Sequence, residues 1–392
     1  MIPFSSLVRP LAIPLAPYCI SMADLIFNLF SLKKESMRAW RWHRVSHVLW
    51  LIPLFTVLLI WNNIALALDW LFFPGFKSQE IKRPVFVVSL PRTGTTNVLH
   101  ALNTPGMPFS SMALWECLIA PSVIQRKVLR WVWRRLPLHL RRLVYNLDKR
   151  LFDKLNAVHN ASLFWHEEDE LVLMWSLSTI YVGLFYPESD VLRDLYSFDE
   201  SVSEKRKARI TRRYRRLVQR HLYAIGASAD VRFLSKNPAM AGKVQAIAQH
   251  FPDAQALVIE RPPNNILPST ELLVSIQLET ATDVPVTDQE RLAIYGILEG
   301  FRHNLQKRLV ESGCLPYKVL SFSDLVQKRE ASMNAILGWL DCTVEFCEAG
   351  QSEVHRSNKR YVPLNDEELR SVLQEPWPSW PPGDFLVVPY EH

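Results

Sequence analysis

Val85-Phe86-Val87-Val88-Ser89-Leu90-Pro91-Arg92-Thr93-Gly94-Thr95-Thr96-Asn97 decides the fold of this chain. Four β-favouring residues run into a tight turn with one glycine, two threonines follow, and an apolar helical segment begins. That order spells strand, anion-cradling loop and helix, with backbone N–H groups and the helix dipole aimed at a negative charge. A nucleoside-triphosphate loop needs lysine directly after its glycine. Here Gly94 is followed by Thr95 and Thr96, and the nearest cation is Arg92. The loop suits a phosphate without the usual lysine.

A second unit of the same kind comes later in the chain. Arg232 to Lys236 reads as a strand ending in the turn Asn237-Pro238, Ala241 to His250 as a helix, and Ala256 to Ile259 as a buried strand. Strand, helix and strand in so short a span make a βαβ unit with parallel pairing. Ligands of such sheets bind beyond the carboxyl ends of the strands. Arg92, Lys236 and Arg261 each follow a strand and therefore fall on one rim.

Between these units lies Glu116, in the apolar stretch Ala113-Leu114-Trp115-Glu116-Cys117-Leu118. It reads either as a glutamate at the edge of the core or as a general base near the anion loop. Arg126 to Arg150 holds nine basic residues around Pro137, interleaved with Trp131, Trp133, Leu136, Leu138 and Leu140. Two amphipathic helices fit, their basic face turned to solvent, a membrane or an acidic substrate. Lys205 to Arg220 also holds nine cations and reads as a solvated helix. His166-Glu167-Glu168-Asp169-Glu170 lacks the spacing that sets two imidazoles on one helix face, so no metal site is expected. A substrate-facing acidic patch and a helix-terminal charge cluster both remain open for it.

The first eighty residues are of another character. Lys33, Lys34, Arg38, Arg41 and Arg44 alternate with Trp40 and Trp42, then apolar runs extend over 48–61 and 64–73, separated by Asn62-Asn63. Each run is shorter than the roughly 20 residues of a spanning helix. A helical hairpin lying in the membrane interface is the first reading, ahead of a single span and a buried helix pair. The basic flank would keep the N-terminus in the cytosol.

Bulk composition agrees with a folded enzyme of modest positive charge. The 392 residues are 48% hydrophobic and 21% charged, with a net charge of +6. Five scattered cysteines suggest neither a disulfide framework nor a zinc site, and favour a reducing compartment. Nothing points to nucleic acid.

Taken together, these motifs resemble a known family. Pro91-Arg92-Thr93-Gly94-Thr95-Thr96 is similar to the phosphosulfate loop of sulfotransferases that use 3′-phosphoadenosine 5′-phosphosulfate (PAPS), with Thr93 where serine is usual. Leu234-Ser235-Lys236-Asn237-Pro238 resembles the family's lysine turn, and Phe251-Pro252-Asp253-Ala254 the entry to its next strand. Arg261 and Ser269, eight residues apart, match its 3′-phosphate clamp. Phe322-Ser323-Asp324-Leu325 and the basic loop Arg356-Ser357-Asn358-Lys359-Arg360-Tyr361 come next in family order. One departure stands out: Asp-Pro usually follows the clamp arginine, whereas this chain has Pro262-Pro263, and Pro262 offers no N–H.

The resemblance covers about residues 83–370 and is nearest to the tyrosylprotein-type and membrane-linked bacterial-type branch. It implies an α/β, P-loop-like three-layer fold with a central, mainly parallel sheet, preceded here by the apolar hairpin. It implies transfer of a sulfonate group from PAPS to a hydroxyl, without a metal. Arg92, Thr93, Gly94, Thr95, Thr96 and Asn97 would hold the donor's phosphosulfate, Arg261 and Ser269 its 3′-phosphate, and Lys359 and Arg360 would close over it. Arg92 and Lys236 would act on the transferring group, with Glu116 as base. The domain limits expected are a membrane-associating segment at 1–80, a sulfotransferase domain at 81–375 with a helical lid at about 104–230, and a Pro/Trp-rich tail at 376–392. The acceptor expected is a hydroxyl compound, lipid-linked or amphipathic. The enzyme would sit on the membrane with its domain in the cytoplasm, the alternative being a single-pass protein with the domain on the far side. The rival activity is a P-loop kinase or NTPase.

Overall fold

The computed structural model describes residues 42–153, 161–184, 193–282, 285–347, 361–373 and 375–389. Strands β1 (Val85–Val87), β2 (Phe109–Ser110), β3 (Arg232–Lys236), β4 (Gln255–Glu260) and β5 (Tyr317–Ser321) form one sheet in the order β2-β3-β1-β4-β5. Every pairing is parallel, with Val85 opposite Leu234 on one side and Gln255 on the other. The strand carrying the anion loop is therefore central, and the ends of β3 and β4 flank that loop.

A parallel sheet must be covered on both faces, and the alternation along β1 shows how. Val85 and Val87 pack with Val98 and Leu99 of α2 (Thr95–Leu102) and with Met333, Ile336 and Leu337 of the helix Arg329–Trp339. Phe86 and Val88 point the other way, into a core shared with Phe233 and Phe251. Tyr214 and Leu217 join that core from the long helix Glu204–Ile225. Three layers result, as expected. The basic helix Glu204–Ile225 is less solvated than its composition suggests, since Lys207 and Arg220 are buried on it.

The apolar N-terminal region departs from expectation. The hairpin expected from runs 48–61 and 64–73 is a single continuous helix, α1 (Trp42–Phe72). Asn62 and Asn63 looked like a reversal point, yet both are bonded within the helix and to the domain. The Asn63 amide donates to Leu59 O at 2.8 Å and to Trp175 O at 3.0 Å, and its Oδ1 accepts from Arg213. Gln125 donates to Asn62 Oδ1 at 2.6 Å. Asp69, fully buried, accepts from the backbone N–H of Val123 and Ile124 and from Arg220 Nε at 2.8 Å. Asn62, Asn63 and Asp69 thus each meet the partners that their burial demands. The opposite face exposes Leu54, Val57, Ile60, Trp61, Ile64, Leu71 and Phe72. Among the described residues this is the one helix long and apolar enough to cross a membrane, over Pro53–Phe72.

Asp69 also organises the helices that come after the anion loop. Its carboxylate occupies the N-terminus of α4 (Val123–Arg135) after the short helix α3 (Leu114–Leu118), and Pro137 separates α4 from α5 (Leu138–Phe152). The two amphipathic helices expected around Pro137 are both present. The chain's end packs on the domain: Trp380 is buried and donates to Glu260 at 2.8 Å, and Leu386 N–H donates to Val319 O of β5.

Candidate active site

The loop after β1 is held from beneath. Val88 N–H donates to Leu257 O, and Ser89 Oγ accepts from Ile259 N–H at 2.5 Å, which ties the loop to β4. Thr93 Oγ1, buried, donates to Leu90 O at 2.8 Å and pins the turn, so the threonine keeps a hydroxyl in use. Gly94 caps α2 at φ 85°, a left-handed conformation in which a side chain is disfavoured. A Cβ there would also lie 3.0 Å from Leu325 and 3.2 Å from Phe322. Arg92 adopts φ 64° without being glycine, the kind of local strain that concentrates at functional turns. Asn97 and Val98 N–H both bond Gly94 O, which leaves the first amides of α2, at Thr95 and Thr96, at the mouth of the loop.

Three residues expected to bind the donor converge here. Arg92 Nε donates to Ser269 Oγ at 3.0 Å, bridging the loop to the helix Pro263–Thr282. Arg261 Nη1 donates to Arg92 O at 2.5 Å, and its guanidinium lies 4.4 Å from the Phe322 ring centroid. Tyr361 shares a hydrogen bond with Arg261 and donates to Asn265 Oδ1 at 3.2 Å. Lys359 and Arg360 lie outside the described residues, but their neighbour Tyr361 reaches the clamp. Burial, then the charge of Arg261, pulls the Arg92 guanidinium below its ordinary pKa; burial does the same to Arg261. Two half-buried cations side by side favour an anion between them. The donor set and the glycine cradle therefore fit a phosphorylated nucleotide.

Lys236 stands at the end of β3, almost wholly buried. Its Nζ lies 3.2 Å from Glu168 Oε1 and 3.8 Å from Glu167 Oε2. Burial alone would drive its proton off, but the two carboxylates outweigh that and raise its pKa. The acidic run is thus divided among separate partners. Glu168 also accepts from Tyr181, Asp169 from Tyr214 and Ser235, and Glu170 pairs with Lys243. Among the described residues no group of three or more His, Cys, Asp or Glu side chains is arranged to hold a metal.

Glu116 lies in α3, buried, with both oxygens occupied. Oε1 accepts from Arg130 at 2.8 Å and lies 3.9 Å from Arg126. Oε2 accepts from Ala113 N–H at 3.1 Å and lies 3.2 Å from His221 Nδ1. Burial opposes its charge, but Arg126, His221 and Arg130 hold the carboxyl far below the usual range. Glu168 and Tyr361 carried no assigned role in the sequence, because their partners lie 68 and 100 residues away. A cavity of about 490 Å³ lined by Tyr196, Gly242, His303, Asn304 and Lys307 includes none of these residues.

The model of the sulfotransferase family matches residues 84–346, which contain the loop, Lys236, Arg261 and Ser269. Two crystal structures are similar in fold. The sulfotransferase STF1 from Mycobacterium tuberculosis H37Rv superposes with a TM-score of 0.56 at 20% identity, covering 72% of this chain and 74% of that one. The sulfotransferase STF9 from Mycobacterium avium gives 0.56 at 17% identity, with 73% and 70% covered. No curated protein sequence matches the chain at a significant level. By the extent of the family match, which spans most of its length and contains the loop, Lys236, Arg261 and Ser269, this chain belongs to the sulfotransferase family.

Proposed function

We propose that this sulfotransferase transfers a sulfonate group from PAPS to the hydroxyl of an acceptor. The observation that carries the reading is the meeting of Arg92, Arg261 and Ser269 at a glycine turn that has threonine where an NTPase has lysine. Arg261 and Ser269 would clamp the 3′-phosphate. The N–H groups at Thr93, Gly94, Thr95 and Thr96 would receive the phosphosulfate, with Asn97, whose own N–H bonds Gly94 O, offering its side-chain amide. Arg92 and Lys236 would hold the oxygens on which negative charge grows, so fixed cations supply what a kinase takes from Mg²⁺. The bound donor contributes the electrophilic sulfonate, and the chain's own groups orient it and exclude water. Glu116 is the proton acceptor that the family pattern implies, whereas Glu168 and Glu167 are the carboxylates in contact with Lys236.

The experiment is a thermal-shift comparison. Adenosine 3′,5′-bisphosphate at a hundredfold excess over its Kd should stabilise the protein by about 2.7 kcal/mol, because it binds the native state alone. ATP with Mg²⁺ should give little. The opposite order would overturn the sulfonate-donor reading in favour of a kinase or NTPase.

The membrane reading draws on the exposed apolar face of α1. It also draws on α4 and α5, which expose Trp131, Val132, Leu143 and Leu147 among Arg134, Arg135, Arg142, Lys149 and Arg150. These faces suit an anionic cytoplasmic leaflet, and an amphipathic acceptor would be met there. Segment 1–80 would then be the membrane-associating part, 81–375 the catalytic domain, and 376–392 a tail packed against it. The protein should float with vesicles containing anionic phospholipid and detach in high salt. Failure to float would remove this part of the reading.

A further inference from the structure

A buried ammonium must have a counter-charge, since an isolated ion in low dielectric loses its proton or destabilises the fold. Lys236 takes its counter-charge from Glu168 and Glu167. The same lysine, at the end of β3 beside the anion loop, is the one assigned to the transferring sulfonate. Those two demands meet on one Nζ. When an anionic donor reaches Lys236, a carboxylate now bonded to it must compete with the donor or turn away.

Accessibility decides which carboxylate can turn. The Glu168 side chain is 21% exposed, whereas Glu167 is at 6% and Glu116 at 3%. Asp169 and Glu170 are sealed and bonded elsewhere, to Tyr214 with Ser235 and to Lys243. His100, on the last turn of α2, is close enough to Glu167 and Lys236 to feel their charges, but its Nε2 is buried without a hydrogen-bond partner. Of these groups Glu168 alone combines contact with the lysine and an open side. Its other oxygen accepts from Tyr181, which would steady the carboxylate once the lysine has left it.

We propose that Glu168 is the general base, parked on Lys236 until the donor takes the lysine over. The inference rests on the sulfonate-donor reading. The acceptor oxygen forms the new bond to sulfur while the bond from sulfur to the bridging oxygen breaks. Its electron pair stays on the departing phosphate, and the hydroxyl proton ends on Glu168. Glu116 is then a positioning residue: its ion pairs with Arg126 and Arg130 and its contact with His221 fix α3 against α4 and the helix Glu204–Ile225.

The test uses the full chain with PAPS and water as acceptor, read as labelled sulfate released, and adenosine 3′,5′-bisphosphate as the binding probe. Glu168→Gln should cut sulfate release by about 100-fold or more, the range of a lost general base. It should bind the bisphosphate at least as tightly as wild type, because a competitor for Lys236 has gone. Glu168→Ala should regain tenfold or more of its lost rate when formate is added, and Glu116→Ala should not. Release within threefold of wild type in Glu168→Gln, or weakened bisphosphate binding in that variant, would overturn the proposal. So would formate rescue of Glu116→Ala but not of Glu168→Ala. Absence of bisphosphate binding in wild type would instead overturn the donor reading itself.

Discussion

The two halves of the rim hold their cations in opposite ways. On the β4 side, Arg92 and Arg261 lean on a hydroxyl, a carbonyl and a phenol, and Phe322 lies under one guanidinium. On the β3 side, Lys236 is clasped by carboxylates and sealed from water. Arg261 meets neutral oxygens and aromatic rings among the described residues, so its charge can be shared with a ligand. The lysine's charge is already spent, so it becomes available only when the carboxylates yield. On the proposed reading, one half would recognise the nucleotide and the other would couple its arrival to proton transfer.

Breaking the lysine side should have the largest effect. Lys236→Met leaves buried carboxylates without their cation, which costs about 3–5 kcal/mol in a urea melt. It should also slow sulfate release by about 100- to 1000-fold, as loss of one charge-stabilising donor does. An unchanged melt would show that the contacts of Lys236 with Glu167 and Glu168 do not hold the fold together.

The acidic run and Glu116 offer a contrast in pH dependence. Burial pushes the Asp169 carboxyl up to about 7, against the hydrogen bonds of Tyr214 and Ser235. A group raised in this way favours the folded state below its unfolded pKa, and that contribution fades as pH climbs through the folded value. Asp169 should therefore cost up to about 4 kcal/mol between pH 4 and pH 8. Glu116 has the opposite sign, contributing stability above the ordinary carboxylate range and losing it in acid. Asp169→Asn should flatten the fall in melting temperature between pH 4 and pH 8, and Glu116→Gln the fall in acid below the ordinary carboxylate range. A wild-type profile that Asp169→Asn leaves unaltered would remove Asp169 from this account.

On the arginine side the effects are smaller and concern binding. Arg261→Ala should weaken adenosine 3′,5′-bisphosphate by about 10- to 150-fold, the worth of a charged hydrogen bond of 1.5–3 kcal/mol. Its urea midpoint should barely move, because the guanidinium has no buried carboxylate partner among the described residues. Equal losses in binding and stability would erase the distinction between the two halves. Smallest of all, Thr93→Ser keeps the hydroxyl that bonds Leu90 O and should change bisphosphate affinity by less than about twofold. Thr93→Val, which lacks it, should cost about 1 kcal/mol of stability.

Legibility from the chain alone divides along the same line. The loop, the strands beside it and the placing of Arg92 and Arg261 on one edge were legible from turn grammar and strand order, whereas Ser269 came from the family resemblance alone. Lys236 was placed correctly, but its carboxylates were not, since no local rule joins it to Glu168 across 68 residues. Glu116 was visible as a costly charge in an apolar stretch. Its four partners come from the backbone, α4 and the helix Glu204–Ile225, and no spacing in the sequence announces them. Asn62 and Asn63 were misread as a break because amides in apolar runs are ordinarily turn signals. Here tertiary partners supply the hydrogen bonds that a turn would have supplied.

The buried pair between Asp69 and Arg220 has a practical consequence for anyone preparing this protein. Trimming the apolar helix to gain solubility, by starting the chain near residue 75, would remove the anion that neutralises Arg220 and caps α4. An orphaned guanidinium would remain in the core, at a cost comparable to a small domain's whole margin of stability. A shortened chain should therefore keep the turn of α1 that carries Asp69.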